Sequence, residues 1–457
     1  MKINNINDFQ NVFFIGVAGV GMSAIAQYLV GIGKNVSGSD RYFKPEVYNK
    51  TKEQLEAEGI QCFLQDGSGI TEKTELIVAS TAIEDTVFEI QKAKKLGIPI
   101  LRRSKVLAMI CKSKKTVAIA GTSGKSTTTA MLYQILLDAK LEPSIISGAG
   151  LTSLIKKGKI GNASVGKGDW LLIEADESDG SVVQYEPEIG LLLNVDKDHQ
   201  EIDELMELFS TFKKNTKNQF IVNQSNHLAK ALSANTKNDF GFENENAHYN
   251  ATDFKQDSFN LSFKVLNQPF TMNAIGQHSV ENATAAIAVA HQIGVDLAIC
   301  ADSLANYEGI YRRHQILGQK NGVWVIDDYA HNPAKCAASI KACQPLTNRV
   351  VAWFQPHGYK PTRFLRKDFV EEISDALRPN DEIIMSEIFY AGGTVKKDIS
   401  ANDLVQDIQQ KGKKASFVED RNQLLEHLDL KENDVLLLMG ARDPSLEDFG
   451  KDLFERL

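Results

Sequence analysis

The chain has 457 residues, of which 43% are hydrophobic and 24% charged, and a formal net charge of -8. That length divides into roughly three domains, and the acidic balance argues against a nucleic-acid-binding surface while leaving room for a local basic patch that holds an anionic substrate. No apolar run reaches the ~20 residues of a membrane span, no signal-peptide core follows Met1, and the five cysteines form no CxxC pair, so a reduced, cytoplasmic protein without disulfides or a membrane span is expected.

The first segment opens with a strand, Asn11 to Ile15, the turn Gly16-Val17-Ala18-Gly19-Val20-Gly21-Met22, and a helix from Ser23 to Val30. A second strand, Asn35 to Ser39, ends in Asp40. A βαβ start with a glycine-rich first turn and an acid about twenty residues on is the pattern of a dinucleotide site. The spacing, however, is GxxGxG, so it points to a phosphate-bearing ligand rather than to NAD. Gly19, Gly21, Met22, Ser39 and Asp40 are the candidate contacts. Strand-like runs at Leu76–Ser80 and Ile98–Leu101 follow, and Arg102 and Arg103 come at the carboxyl edge of the second, either solvated or on an anion. The polar run Lys112 to Lys115 marks a boundary, giving a first domain over 1–113.

The next strand, Thr116 to Ala120, runs into Gly121-Thr122-Ser123-Gly124-Lys125-Ser126-Thr127-Thr128-Thr129 and then an apolar helix. Strand, glycine turn and helix N-terminus make a phosphate cradle in which Lys125 reaches the terminal phosphates and Ser126 can ligate Mg²⁺. Only Thr122 and Ser123 separate the first glycine from the Gly-Lys pair, fewer than in the common loop; the alternative is a glycine turn with a surface lysine. A strand over 169–173 then leads into Glu174, Asp176, Glu177 and Asp179. Such acids are costly to bury without cations, and beside a phosphate loop they suit Mg²⁺, with Glu174 the best placed; a solvated acidic loop is the other reading. Ile189 to Leu193 ends in Asn194-Val195-Asp196-Lys197-Asp198-His199, which gives His199 either a metal or phosphate role or an ordinary polar one. Residues 201–270 read as helices followed by short strands. Gly276 to Asn282 opens an alanine-rich helix over 283–290, where Asn282 either caps packing or touches nucleotide.

In the last segment, Val323–Ile326 leads to Asp327-Asp328-Tyr329-Ala330-His331-Asn332-Pro333, and Val350–Phe354 leads to Gln355-Pro356-His357-Gly358-Tyr359-Lys360-Pro361-Thr362-Arg363. Glu382–Met385 and Asp434–Met439 behave likewise, each buried run delivering polar residues at its carboxyl end, with helical stretches between. That is the doubly wound parallel pattern. The predicted fold is therefore α/β with three domains in series: an N-terminal Rossmann-like domain (1–113), a central P-loop mixed α/β ATPase domain (114–312) and a C-terminal Rossmann-like parallel sheet (313–457).

The loop Gly121–Thr129, Glu174-Ala-Asp-Glu-Ser-Asp, Asn194 to His199, His278 to Asn282, Arg313, and Asp327 to Pro333 together resemble the signatures of the Mur ligases of peptidoglycan synthesis. The likeness spans nearly the whole chain and keeps the motif order. It implies an ATP-dependent acid–amino-acid ligase whose first domain holds a UDP-sugar, whose second binds ATP and Mg²⁺, and whose third closes over both. The carboxylate of UDP-N-acetylmuramate would be phosphorylated and the acyl phosphate attacked by an amine. Residues Gly121, Thr122, Ser123, Gly124, Lys125, Ser126 and Thr127 would cradle the nucleotide, with Lys125 on its β- and γ-phosphates. Ser126 and Glu174 would bind one Mg²⁺, and Glu174 and His199 a second. Asn282, Arg313 and Asp328 would contact the nucleotide, Arg313 only on closure. The physical logic is that two anions must meet, so cations must screen them. Gly19, Gly21, Met22, Ser39, Asp40, Arg102 and Arg103 would serve the UDP-sugar; His331, His357, Lys360 and Arg363 would serve the amine. A monomer or weak homodimer is expected.

The opening glycine turn, Ser37-Gly-Ser-Asp and Phe354-Gln-Pro-His match the family branch that takes L-alanine as the amine. The chain departs from that branch at Gly358 and Pro361, where arginines are usual, and at Asn332, where a second histidine is usual. Ser123 and Ser126 replace the family's histidine and threonine, Ser126 keeping the hydroxyl. A lost guanidinium removes a bidentate carboxylate partner, so transfer of a preformed peptide to the same sugar stays open. A non-catalytic ATP and UDP-sugar sensor, and an NAD-dependent oxidoreductase, are readings from other classes.

Overall fold

In a parallel sheet covered on both faces, successive side chains are buried on opposite sides, which is why these strands read as unbroken apolar runs. Phe13 and Phe14 show this in the computed structural model, which describes residues 3–80, 83–196, 201–390, 396–443 and 445–457: both rings are fully buried, in different clusters. Their strand, β1 (Asn11–Ile15), joins β2 (Asn35–Asp40), β3 (Gln61–Leu64), β4 (Leu76–Ala79) and β5 (Ile100–Arg102) in a parallel sheet ordered β3-β2-β1-β4-β5. The direction of winding reverses between β1 and β4, which opens a ligand crevice at their carboxyl ends.

The central sheet contains β6 (Lys115–Ala120), β7 (Ser144–Ile146), β8 (Ala163–Ser164), β9 (Trp170–Glu174), β10 (Ile189–Leu192) and β11 (Gln219–Val222), ordered β11-β10-β6-β9-β7-β8. All of its pairs are parallel except β7 with β8. A four-stranded sheet follows, ordered β12 (Phe240–Phe242), β13 (Tyr249–Asp257), β14 (Asn260–Val265), β15 (Gln268–Asn273). Its alternating burial along β15 marks a sheet with one wet face.

The chain divides into two compact units. The first takes Met1–Lys255, Ser262–Asn273 and Gln277–Ile310. Its N-terminal and central sheets share one apolar core that runs from Ile3 to Ala229. The second takes Gln256–Leu261, Ala274–Gly276 and Tyr311–Leu457. Its sheet contains β16 (Gln315–Lys320), β17 (Val323–Asp328), β18 (Val350–Gln355), β19 (Glu382–Ser386), β20 (Lys414–Val418) and β21 (Val435–Gly440), ordered β16-β17-β21-β18-β19-β20. Only β16 runs antiparallel to its neighbour. Trp353 and Phe354 fill its two opposite faces.

Two helices begin earlier than the sequence pattern predicts. The helix after β1 spans Val20–Gly31, so Gly21 and Met22 are its first turn rather than loop. The alanine-rich helix spans Gln277–Ile293, so Asn282 lies well inside it. In both cases polar or glycine positions hide the start from a hydrophobic-period reading; in the first helix the Met22 N–H is satisfied by Gly19 O at 2.9 Å. Among the described residues no helix is long and apolar enough to cross a membrane.

Candidate active site

The central constellation forms where β6 ends. The chain turns through Gly121 to Gly124 and enters the helix Lys125–Asp138. Gly124 has φ +83°, a conformation that L side chains rarely adopt. A β-carbon there would also overlap the side-chain oxygen of Asn282. Asn282 therefore lies directly against the turn, its Oδ1 accepting a hydrogen bond from Thr128 Oγ1 at 3.3 Å. Asn194, at the end of β10, braces the same turn: its Oδ1 accepts from Thr122 Oγ1 and from the Ser123 backbone N–H, each at 2.9 Å.

Lys125 Nζ donates to Gly121 O at 2.6 Å and pairs with Glu177 Oε2 at 2.8 Å. Ser126 Oγ donates to Glu174 Oε2 at 2.8 Å. The other oxygen of Glu174 accepts from Ser147 Oγ at 2.6 Å and from Gly148 N–H at 2.7 Å. Thr127 sits half-buried in the first helical turn. The result is one ammonium, one hydroxyl and one oriented carboxylate at a helix N-terminus, a place suited to phosphates. Ser126 and Glu174 offer hard oxygen donors side by side, the donor chemistry Mg²⁺ takes. His199 lies outside the described residues.

The first glycine turn forms a second anion-ready edge in the same unit. The Asp40 carboxylate accepts from Ala18 N–H at 3.1 Å and Tyr42 N–H at 3.0 Å, which fixes the turn against the end of β2. Arg103 lies over Gly21, its Nη1 3.0 Å from where a β-carbon would stand, and its Nη2 is 3.0 Å from Asp179 Oδ2. Gly19 caps the helix at whose first turn Gly21 and Met22 stand. Met22 is buried, and Ser39 is fully buried with its hydroxyl donated to Glu89 at 2.8 Å. Burial pushes the Glu89 carboxyl up to about 6, partly offset by that hydrogen bond. Arg102 is exposed and donates to Ser80 O at 2.8 Å.

In the second unit the two neighbouring arginines part company. Arg312 is buried and engaged by Asp327 (2.9 Å) and Gly440 O (3.0 Å), while Arg313 is exposed with its guanidinium 5.5 Å from the Tyr329 ring centroid. Asp328 is buried and accepts from His314 N–H at 3.2 Å. Burial raises its carboxyl, but His314, Arg313 and hydrogen bonds from Ser339 and the His314 backbone outweigh that and hold it below the usual range. The rings of His331 and His357 meet at 5.6 Å. Burial, His331 and Arg442 drive the His357 imidazole down to about 4, so it is neutral, and its Nδ1 is buried without a hydrogen-bond partner among the described residues. Lys360 is exposed, and Arg363 is turned onto Asp398, 2.6 Å from Oδ2.

Sequence comparison sets these sites in a family. The profile of the Mur ligase family catalytic domain matches residues 11–115, that of the Mur ligase middle domain 119–290, and that of the Mur ligase glutamate ligase domain 312–442. A UDP-N-acetylmuramate–L-alanine ligase of Pelotomaculum thermopropionicum is 32% identical, covering 98% of both chains. The chain belongs to the Mur ligase family. The enzyme of the same name from Syntrophomonas wolfei is 34% identical over 94% of both chains. The fold matches the crystal structure of the UDP-N-acetylmuramate–alanine ligase of Thermotoga maritima with a TM-score of 0.79, at 24% identity and 98% coverage of each chain.

Several Mur ligase positions are explained only by the three-dimensional contacts. Glu177 emerges as the ion partner of Lys125; its place in an acidic run hinted at a role but not at which cation it meets. Ser147 orients Glu174, and nothing in its local sequence marks it. Asn332, where the family's histidine is usual, is the N-cap of the helix Pro333–Cys343, its side chain accepting from Lys335 N–H at 2.8 Å. Gly358 has φ +74°, so the arginine usual there would be strained.

Proposed function

We propose that the chain forms an amide bond between the carboxylate of UDP-N-acetylmuramate and the amino group of an amino acid, L-alanine, with ATP and Mg²⁺, in the cytoplasm and for peptidoglycan synthesis. The observation that carries this reading is the Ser126–Glu174 contact of 2.8 Å beside Lys125 at a helix N-terminus, in a chain similar along 98% of its length to ligases of that name. Lys125 would hold the β- and γ-phosphates, and the cradle of Gly121, Thr122, Ser123, Gly124 and Thr127 the rest of the phosphate chain. Ser126, Glu174 and His199 would hold Mg²⁺, whose chemistry is charge neutralisation where two anions meet. The sugar carboxylate gains the phosphoryl group as an acyl phosphate, ADP leaves, and the amine displaces phosphate with loss of a proton. The neutral His357 presents an imidazole that can accept a hydrogen bond from that amine.

The proposed domain boundaries stay at 1–113, 114–312 and 313–457. Roles for Arg313 and Asp328 at the nucleotide rest on the family likeness. Gly19, Gly21, Asp40, Arg102 and Arg103 are proposed to serve the UDP-sugar, with Met22 and Ser39 contributing through their backbone because both side chains are buried. A second reading, transfer of a preformed peptide to the same sugar, is favoured by the remodelled stretch Gly358 to Arg363, where Arg363 is engaged by Asp398. The test is phosphate release with UDP-N-acetylmuramate, ATP, Mg²⁺ and a panel of amines. Turnover that requires both the sugar nucleotide and an amine is expected. ATP and UDP-sugar binding with no amine-dependent turnover would establish the sensor instead.

A further inference from the structure

The second unit begins at Tyr311, and the turn that follows is strained at two places. Arg312 has φ +53° and His314 φ +44°, a left-handed backbone that side chains other than glycine adopt at a cost. Such angles persist only where the surrounding contacts over-determine them, and they gather at functional sites. The residue between the two is Arg313.

The contacts that fix this turn straddle the end of β17. Asp327 and Asp328 are the last two residues of that strand, and successive strand residues point to opposite faces of the sheet. Asp327 lies on the side of the helix Leu446–Arg456, with its Oδ2 3.8 Å from where a β-carbon of Gly450 would stand. Asp328 lies on the side of the helix Pro333–Cys343, which supplies Ser339 as a hydrogen-bond partner. Arg312 grips the first face: its Nε donates to both Asp327 oxygens, at 3.1 and 2.9 Å, and its Nη2 to Gly440 O at 3.0 Å. His314 grips the second: its N–H donates to Asp328 Oδ1 at 3.2 Å, and its Nε2 is 3.1 Å from Ser339 Oγ and 3.7 Å from Asp328 Oδ2. Between the two grips, Tyr329 N–H donates to Arg312 O at 2.8 Å. Arg312, Asp327 and Asp328 are all buried, an arrangement that is costly unless each charge is paired. Arg313 alone is exposed, with its guanidinium 5.5 Å from the Tyr329 ring centroid, within cation–π range.

We propose that Arg312 and His314 are positioning residues for Arg313: by gripping opposite faces of the β17 end they hold its backbone in a strained turn and fix where its guanidinium meets the nucleotide during ligation. This rests on the reading above that Arg313 serves the nucleotide, and it adds the residues through which the second unit presents that charge. A guanidinium on a long flexible stem loses side-chain freedom when it is fixed on a ligand. A backbone clamped on both sides, with a ring face under the side chain, removes part of that loss beforehand. The two grips also tie Arg313 to the sheet of the second unit, so that it moves with that sheet and not with the chain that enters it.

The test is a double-mutant cycle between His314 and Arg313, read as kcat and KM with UDP-N-acetylmuramate, ATP, Mg²⁺ and L-alanine. Arg313→Ala should lower kcat by roughly a hundredfold or more, as loss of a preorganised charge does. His314→Ala should lower it by roughly tenfold to a hundredfold, the effect of a misplaced group, with KM for the sugar nucleotide little changed. His314→Gly should be slow as well, although glycine takes the left-handed backbone without strain, because the grip is lost. His314→Asn should keep most of the turnover, since asparagine tolerates that backbone and its amide can donate to Asp328. Added to Arg313→Ala, His314→Gly should cause no further loss, whereas a merely structural histidine would multiply the two losses. Thermal unfolding checks that each variant is folded, and His314→Gly carries the cycle if His314→Ala is not. Parent-like kcat in His314→Gly, or full multiplication of the two losses, overturns the inference and leaves the ligase standing. Undiminished turnover in Arg313→Ala overturns both the nucleotide role of Arg313 and the inference. Absence of turnover in the parent with every amine overturns the ligase reading and the inference together.

Discussion

The phosphate turn of the first unit and the His357–Arg363 stretch of the second are both glycine turns at the carboxyl end of a buried strand, yet they are built in opposite ways. Around Gly121–Thr129 the principal groups are already engaged: Lys125 by Glu177, Ser126 by Glu174, and Thr122 and the Ser123 N–H by Asn194. Around His357, among the described residues, the imidazole Nδ1 has no hydrogen-bond partner and Lys397 lies over the Tyr390 ring at 4.6 Å. The first arrangement is a rigid, mutually braced set of polar groups, as preorganised sites are. The second leaves groups unengaged among the described residues.

That contrast can be broken in order of expected effect. Lys125→Ala should reduce turnover by at least roughly a hundredfold, as loss of a preorganised charge contact does, while UDP-N-acetylmuramate binding, followed by calorimetry, stays nearly unchanged. Loss of sugar binding in a folded variant would count against assigning the sugar to the first glycine turn. Gly124→Ala should lower stability by about 1–3 kcal/mol and turnover with it, because φ +83° is strained for alanine and Asn282 occupies the space. Gly358→Arg restores the family residue and should cost a similar ~1–3 kcal/mol from its backbone conformation, read by denaturant unfolding, without raising turnover with L-alanine. If that variant were as stable as the parent and faster with L-alanine, the two turns would not differ as argued.

The smallest effect expected is on pH. Burial first, then His331 and Arg442, lower the His357 imidazole from 6.5 to about 4 in the folded state. The unfolded chain therefore binds more protons between those values, so stability rises with pH through that window and is lost as pH falls from about 6.5 towards 4. In His357→Gln the slope of unfolding free energy against pH over this window should be shallower than in the parent. An unchanged slope would mean that His357 titrates normally.

Motif order and the run of apolar strands carried most of this structure in advance. The glycine turns, Glu174, Asp328 and the segment carrying His331 were placed at sheet edges because each follows a buried run whose end must lie there. Other features were not legible. Gly21 and Met22 open a helix rather than line a loop, since glycine obscures the hydrophobic period that marks helix starts. The side chain of Ser39 faces inward onto Glu89, a direction that alternation along β2 sets. The fate of the Arg312-Arg313 pair, one buried on Asp327 and one exposed, also depends on a partner from a separate strand.

By itself, the sequence determined the family and the α/β architecture, and it marked the Gly121–Thr129 turn at a strand end. These depend on local signals: residue type, spacing, and the burial of strands on both faces. Only the tertiary structure decided which acid meets Lys125, why Asn332 stands where a histidine is usual, and how Gly358 reshapes the surface next to His357. Each of those depends on contacts between segments far apart in the chain or on a backbone angle, and neither leaves a mark in local composition.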